Sequence, residues 1–237
     1  MVEKIETWTL KIAPFIAGPV VLVALIGIFF WVPTDAALGI SQRIFYFHVP
    51  CATTTFLAFA IAGISSAVFL KTGRSDWDHA AHAAVGTGMI FATLVLATGS
   101  IWARTAWGTW WTWDARLTTF LVLWLVFATY LLMRSLARDN DMAPRYAAVL
   151  AVVGAMNIPL VMMATRLWRT IHPQVIRNPK GGIEDTAMLV TLLLSMIAIL
   201  STFAWICALR LRLHRFEEKV LFLTADTHAA NRGSLST

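Results

Sequence analysis

Long apolar runs alternate with short polar connections along this chain, and the length of the runs decides its class. Six stretches, at about 13–32, 49–70, 83–102, 118–136, 146–167 and 185–209, carry few charged residues. Each holds roughly 20 residues, enough for a helix rising about 1.5 Å per residue to cross a hydrocarbon layer about 30 Å thick. The alternating ten-residue pattern of a membrane β-barrel is absent, so the pattern predicts six helices. The fold expected is all-α: a single integral membrane domain over 1–237, built as a six-helix transmembrane bundle. The first run exceeds the apolar core of about 7–15 residues found in a signal peptide. It therefore reads as a span, despite the small residues Ala36 and Ala37 behind it.

Composition supports this class. The chain is 58% hydrophobic and 14% charged, with a mean hydropathy of +0.69, far from a soluble globular average. A net charge of +6 would suit nucleic acid if it formed one patch, but it follows the topology instead. Lys4, Lys11, Lys71, Arg74, Arg134, Arg138, Arg145, Arg210, Arg212, Arg215 and Lys219 all fall on one side of six alternating spans. By the positive-inside rule that side is cytoplasmic. Both termini then lie inside, with a cytoplasmic tail at about 210–237 that is polar enough to be partly disordered.

The inner connections, 71–76 and 138–144, read as polar turns. The outer ones, at 33–48, 103–117 and 168–184, are richer. The last contains Pro173, Pro179, Gly181 and Gly182, which break helices and let backbone approach closely. No internal repeat and no line of ionisable residues crosses the spans, which weighs against a permease or a proton-coupled pump. Cys51 and Cys207 sit in spans at opposite levels and read as small buried hydrophobes.

The outer segment 103–117 holds Trp107-Gly108-Thr109-Trp110-Trp111-Thr112-Trp113-Asp114. Four indoles in eight residues predict a planar, apolar and lightly polar platform with a few N–H donors, suited to a large, flat, amphipathic ligand. An interfacial aromatic belt would populate both membrane faces. Here Trp31, Trp102, Trp107, Trp110, Trp111, Trp113 and Trp168 map outside, against Trp8, Trp77 and Trp205 inside. The imbalance favours a ligand platform.

Among six histidines only His48 and His172 map outside, each at the mouth of a span. Imidazole is a common metal ligand and an axial ligand of haem iron, so the pair can take iron from two sides of a porphyrin. Pro50 suits the first helical turn after His48. His79 and His82, beside Asp76 and Asp78, read as a solvated turn rather than a metal site. Arg43, Arg104, Arg116, Arg166, Arg169 and Arg177, with Lys180, map outside against the charge rule. Guanidinium groups suit the two propionates of haem, and they equally suit lipid headgroups. Two roles stand open for Asp114: capping the fourth helix, or contacting the ligand.

Residues 107–114 match the WGxWWxWD signature of the haem-handling membrane proteins that build c-type cytochromes. With six spans and one outer histidine on each flank, the chain resembles the CcmC family, haem exporter protein C, over about residues 10–210. The resemblance implies a bacterial inner-membrane protein that is not an enzyme. It would carry haem b as cargo, with His48 and His172 as axial ligands and Trp107, Gly108, Trp110, Trp111, Trp113 and Asp114 as the haem-binding segment. It also implies delivery of haem to the periplasmic chaperone CcmE. The implied partners are an ABC-type ATP-binding subunit, a second membrane subunit and a small membrane subunit. The competing readings are a bis-histidine electron-transfer cytochrome and a small-solute permease. The first would hold haem between histidines inside the spans, whose apolar centres contain none.

Overall fold

A computed structural model describes residues 2–36, 38–136, 140, 142–168, 170, 172, 183 and 185–234, with side chains left out for 2–5, 219 and 221–234. Six helices dominate it: α1 (Val2–Ile26), α2 (Phe45–Thr72), α3 (Ser75–Trp107), α4 (Ala115–Leu136), α5 (Ala143–Leu167) and α6 (Thr186–Ser234). All six contain a stretch long and apolar enough to cross a membrane. A π-helical turn, Gly27–Trp31, continues α1, and a 3-10 turn, Ile40–Ile44, leads into α2.

Three expectations about boundaries are corrected. Helix α3 begins at Ser75, two turns before the apolar run, because Asp76 and Asp78 favour the positive end of the helix dipole. His79 and His82 are therefore helical and partly buried, not part of a solvated turn. Pro50 falls beyond the first turn, since α2 already starts at Phe45. The polar segment after Leu209, read as partly disordered, continues α6 as helix to Ser234.

Helix α2 packs chiefly on α3 and α5, α4 packs on α5, and α1 packs chiefly on α6. Lipid offers no hydrophobic drive between spans, so close approach of small residues supplies the contact. Ala58, Ala62, Ala84, Ala147 and Ala151 are accordingly all buried where helices meet. Phe59 and Phe127 stack at 3.8 Å between centroids, in one buried cluster with Phe91, Phe120 and Phe203. A smaller cluster, Ile28, Val32, Tyr46 and Leu192, ties α1, α2 and α6 together near the opposite end from the termini.

The two ends of the bundle differ. At the end that carries both termini, Arg134 grips Asp78 through two bonds of 2.9 and 3.2 Å. Arg215 of α6 reaches Glu6 of α1 at 2.7 Å and Asp76 of α3 at 3.1 Å. The other end gathers residues 32–44, 108–114 and the described parts of the connection from α5 to α6.

Candidate functional site

The tryptophan segment starts where α3 stops. Gly108 ends the helix at φ +75°, a left-handed conformation that disfavours any side chain, and its N–H donates to Arg104 O at 3.2 Å. The guanidinium of Arg104 donates to the carbonyl of Gly108, so this arginine closes its own helix end. At the far side of the segment, the backbone N–H of Arg116 donates to Asp114 Oδ1 at 2.9 Å. The Thr118 N–H donates to the Asp114 carbonyl at 2.9 Å. Asp114 thus caps α4, which settles the capping role as one it performs. The motif's glycine and aspartate hold the two helix ends, and the indoles hang between them.

Those indoles do not share one plane. Trp102 meets Trp107 edge to face at 5.2 Å and 83°, and Trp111 meets Trp113 at 6.0 Å and 80°. Trp110 and Trp113 project outward, 59% and 77% exposed. Trp111 turns in, and its Nε1 is buried without a hydrogen-bond partner. Thr109 bridges the segment by donating to the Trp111 carbonyl at 3.0 Å.

Both outer histidines reach the outer part of α3. His172 packs edge to face on Trp107, 6.5 Å between ring centroids. His48 reaches α3 two turns deeper, with Nδ1 3.0 Å from Thr98 Oγ1. A Cβ at Gly99 would lie 3.1 Å from His48 Cε1, so glycine there makes room for the imidazole. Gly99 and Trp107 are eight residues apart, a rise of about 12 Å along the helix. One helix therefore presents two imidazoles at two levels, with the tryptophan segment at its tip.

The outer arginines behave differently from one another. Arg116 is partly buried and close enough for His48 to feel its charge. Arg43 lies over the Phe29 ring at 5.8 Å, and its Nε is buried without a hydrogen-bond partner. Arg166 is exposed at the end of α5. Arg169 and Arg177 lie outside the described residues, as does Lys180. Buried donors without partners are rare in folded proteins. Arg43 Nε and Trp111 Nε1, with the Thr112 and Thr118 hydroxyls, form such a set on this end. They fit a ligand that brings its own acceptors.

Thr98, Gly99 and Trp102 were not evident from the sequence as site residues. The signal for the first two is the small-residue patch Ala97-Thr98-Gly99-Ser100 between Leu96 and Ile101. His79, His82 and His214 form a second cluster, at the termini end. His82 and His214 stack at 4.4 Å and 10°, and His214 and His79 at 6.5 Å and 26°. Stacked rings direct their nitrogens sideways, and among the described residues no group of His, Cys, Asp or Glu is arranged to hold a metal ion.

The fold and site define a polytopic helical membrane protein with an aromatic and imidazole site at one end of its bundle. The family model for Heme exporter protein C matches residues 2–225. The chain is 35% identical over 193 residues to Heme exporter protein C of Bradyrhizobium diazoefficiens, covering 80% of this chain and 73% of that one. To the Escherichia coli K12 protein of the same name it is 32% identical over 184 residues, covering 78% and 74%. The Haemophilus influenzae relative is 29% identical over 213 residues, covering 88% and 86%. The chain belongs to the Heme exporter protein C family.

Proposed function

We propose that the protein binds haem at the outer end of α3 and hands it on during maturation of c-type cytochromes. The observation that carries this reading is the convergence of His48 and His172 on one helix that ends in the tryptophan segment. His48 and His172 would hold the iron, and the indoles would offer the porphyrin an apolar surface. Arg116 and Arg43, with Trp111 Nε1, supply donors for the propionates. The cargo is haem b, and the role is delivery and not catalysis.

The site end faces the periplasm and the basic termini end the cytoplasm of a bacterial inner membrane, in keeping with the charge distribution. Exposed Trp110 and Trp113 leave an edge of the cargo within reach of a receiving protein, the chaperone CcmE. An ABC-type ATP-binding subunit, a second membrane subunit and a small membrane subunit complete the assembly. Absorption spectra of the purified protein titrated with haem test the site. The bis-imidazole signature should vanish in the His48→Ala, His172→Ala double variant, and its persistence there would overturn the assignment.

A further inference from the structure

At the termini end, away from the haem site, a cavity of about 580 Å³ opens between α1 and α6. Glu6, Leu10 and Lys11 line it from α1, and Arg212, Arg215 and Phe216 from α6. Three cations face one carboxylate, and that carboxylate is already taken: Glu6 accepts from Arg215 at 2.7 Å. Arg215 also bonds Asp76 and still keeps a buried Nε without a hydrogen-bond partner. Lys11 and Arg212 are exposed, and among the described residues neither forms an ion pair. The cavity thus holds uncompensated positive charge.

Its depth names the ligand. The apolar stretches of α1 and α6, Glu6–Trp31 and Thr186–Glu218, both end at this level. Neighbouring Trp8, 65% exposed, has the amphipathic character of residues that sit among headgroups. Leu10 gives the cavity an apolar wall, and Phe216, 64% exposed, adds a second. A soluble phosphate would use the cations and have no use for that wall. We propose that this cavity binds an anionic phospholipid, its phosphodiester held by Lys11 and Arg212 and its acyl chains running along Leu10 and Phe216. Such a lipid would fasten α1, whose main protein neighbour is α6, to the bundle.

Native mass spectrometry of the full chain, taken from nanodiscs of equal phosphatidylglycerol and phosphatidylcholine, tests this. The protein should retain phosphatidylglycerol in preference to phosphatidylcholine. Removing two interfacial cations in Lys11→Gln, Arg212→Gln should weaken that retention by about 30-fold. Lys71→Gln, Arg145→Gln, on the same end but outside the cavity, should leave it unchanged. Arg212→Lys should keep most of it, and serves also if the double variant folds poorly. Equal retention of both lipids, or equal loss in the control pair, would overturn the proposal. So would displacement of the lipid by millimolar inorganic phosphate, which would point to a soluble anion.

Discussion

The Nδ1 of His48 lies 3.0 Å from the hydroxyl oxygen of Thr98. That hydroxyl has one proton, and it goes to the Leu94 carbonyl at 2.6 Å. With its proton on Leu94 the oxygen is free to accept from His48, the arrangement in which Nδ1–H donates and Nε2 keeps the lone pair that a metal needs. A threonine in the outer part of α3 thus orients the imidazole proposed to take the haem iron, one helix away. Thr98→Val removes the acceptor with little change in volume. It should lower haem retention about 10–100-fold, the range typical for loss of such a partner. Thr98→Ser should restore it. Haem transfer to an apo-globin in excess measures the loss rate, and an unchanged rate in Thr98→Val would remove Thr98 from the site.

Gly99 offers a second test of the same contact. A methyl at this position would stand 3.1 Å from His48 Cε1, tighter than ordinary van der Waals contact. Gly99→Ala should push the ring by a few tenths of an ångström and shift the haem spectrum while the protein still folds. Gly99→Leu should displace His48 and give the spectrum of His48→Ala. If Gly99→Leu binds haem with the wild-type spectrum, His48 is not held where iron is ligated.

The indoles divide by direction. Trp110 and Trp113 are exposed, so replacement by alanine should change stability by about 0.5 kcal/mol at Trp110 and by up to about 1.5 kcal/mol at Trp113, which also packs on Trp111. Handover to an acceptor protein should slow in both variants. Trp111 points inward, and Trp111→Ala should weaken haem retention itself. Loss of an aromatic contact worth about 0.5–1.5 kcal/mol corresponds to a change of up to about tenfold. Stopped-flow transfer and equilibrium titration separate the two effects. Equal behaviour of all three variants in both assays would mean that the segment acts as a membrane anchor.

The sequence disclosed the class and the ends of the site more fully than its interior. Six apolar runs required six helices, because lipid leaves no other way to satisfy a spanning backbone. The tryptophan motif and the two outer histidines could be read from residue type and side alone. Helix starts were harder, since charges such as Asp76 and Asp78 look like loop residues until their place at a helix N-terminus is seen. Thr98 was invisible for a different reason. Spans α2 and α3 contain hydroxyls that bond only their own helix, as Thr55 does to Cys51 and Thr105 to Trp102. Only the pairing of α2 with α3 singles out the one that faces His48.

The histidines at the termini end should matter for stability and not for haem. Arg134 joins Asp78 at 2.9 Å and lies 3.5 Å from His82 Nδ1, in a region only 15% and 9% exposed at the two charged partners. Arg134→Gln leaves a buried carboxylate without its cation, which costs about 3–5 kcal/mol. Thermal melting in detergent should show the loss. Asp78→Asn in the Arg134→Gln background should recover part of it, because no unpaired charge then remains. His79→Ala and His82→Ala should leave the haem spectrum unchanged. A spectral change in either variant would bring this cluster into the haem pathway.

Topology underlies every functional statement above, and it can be tested independently of haem. Residues 2 and 234 lie at the end where Arg215 meets Glu6, and Thr109 lies at the other. Cys51 is buried and Cys207 lies within α6, so replacing both by alanine gives a thiol-free background with little disturbance of the ends. Single cysteines are then placed at Thr109, at Ser75 and at Ser234. In intact spheroplasts a membrane-impermeant maleimide should label Thr109→Cys alone, and lysis should expose the other two. Labelling at Ser75 or Ser234 before lysis would invert the bundle. The basic end would then face the periplasm against the positive-inside rule, and the tryptophan segment would face the cytoplasm, out of reach of the periplasmic acceptor proposed for it.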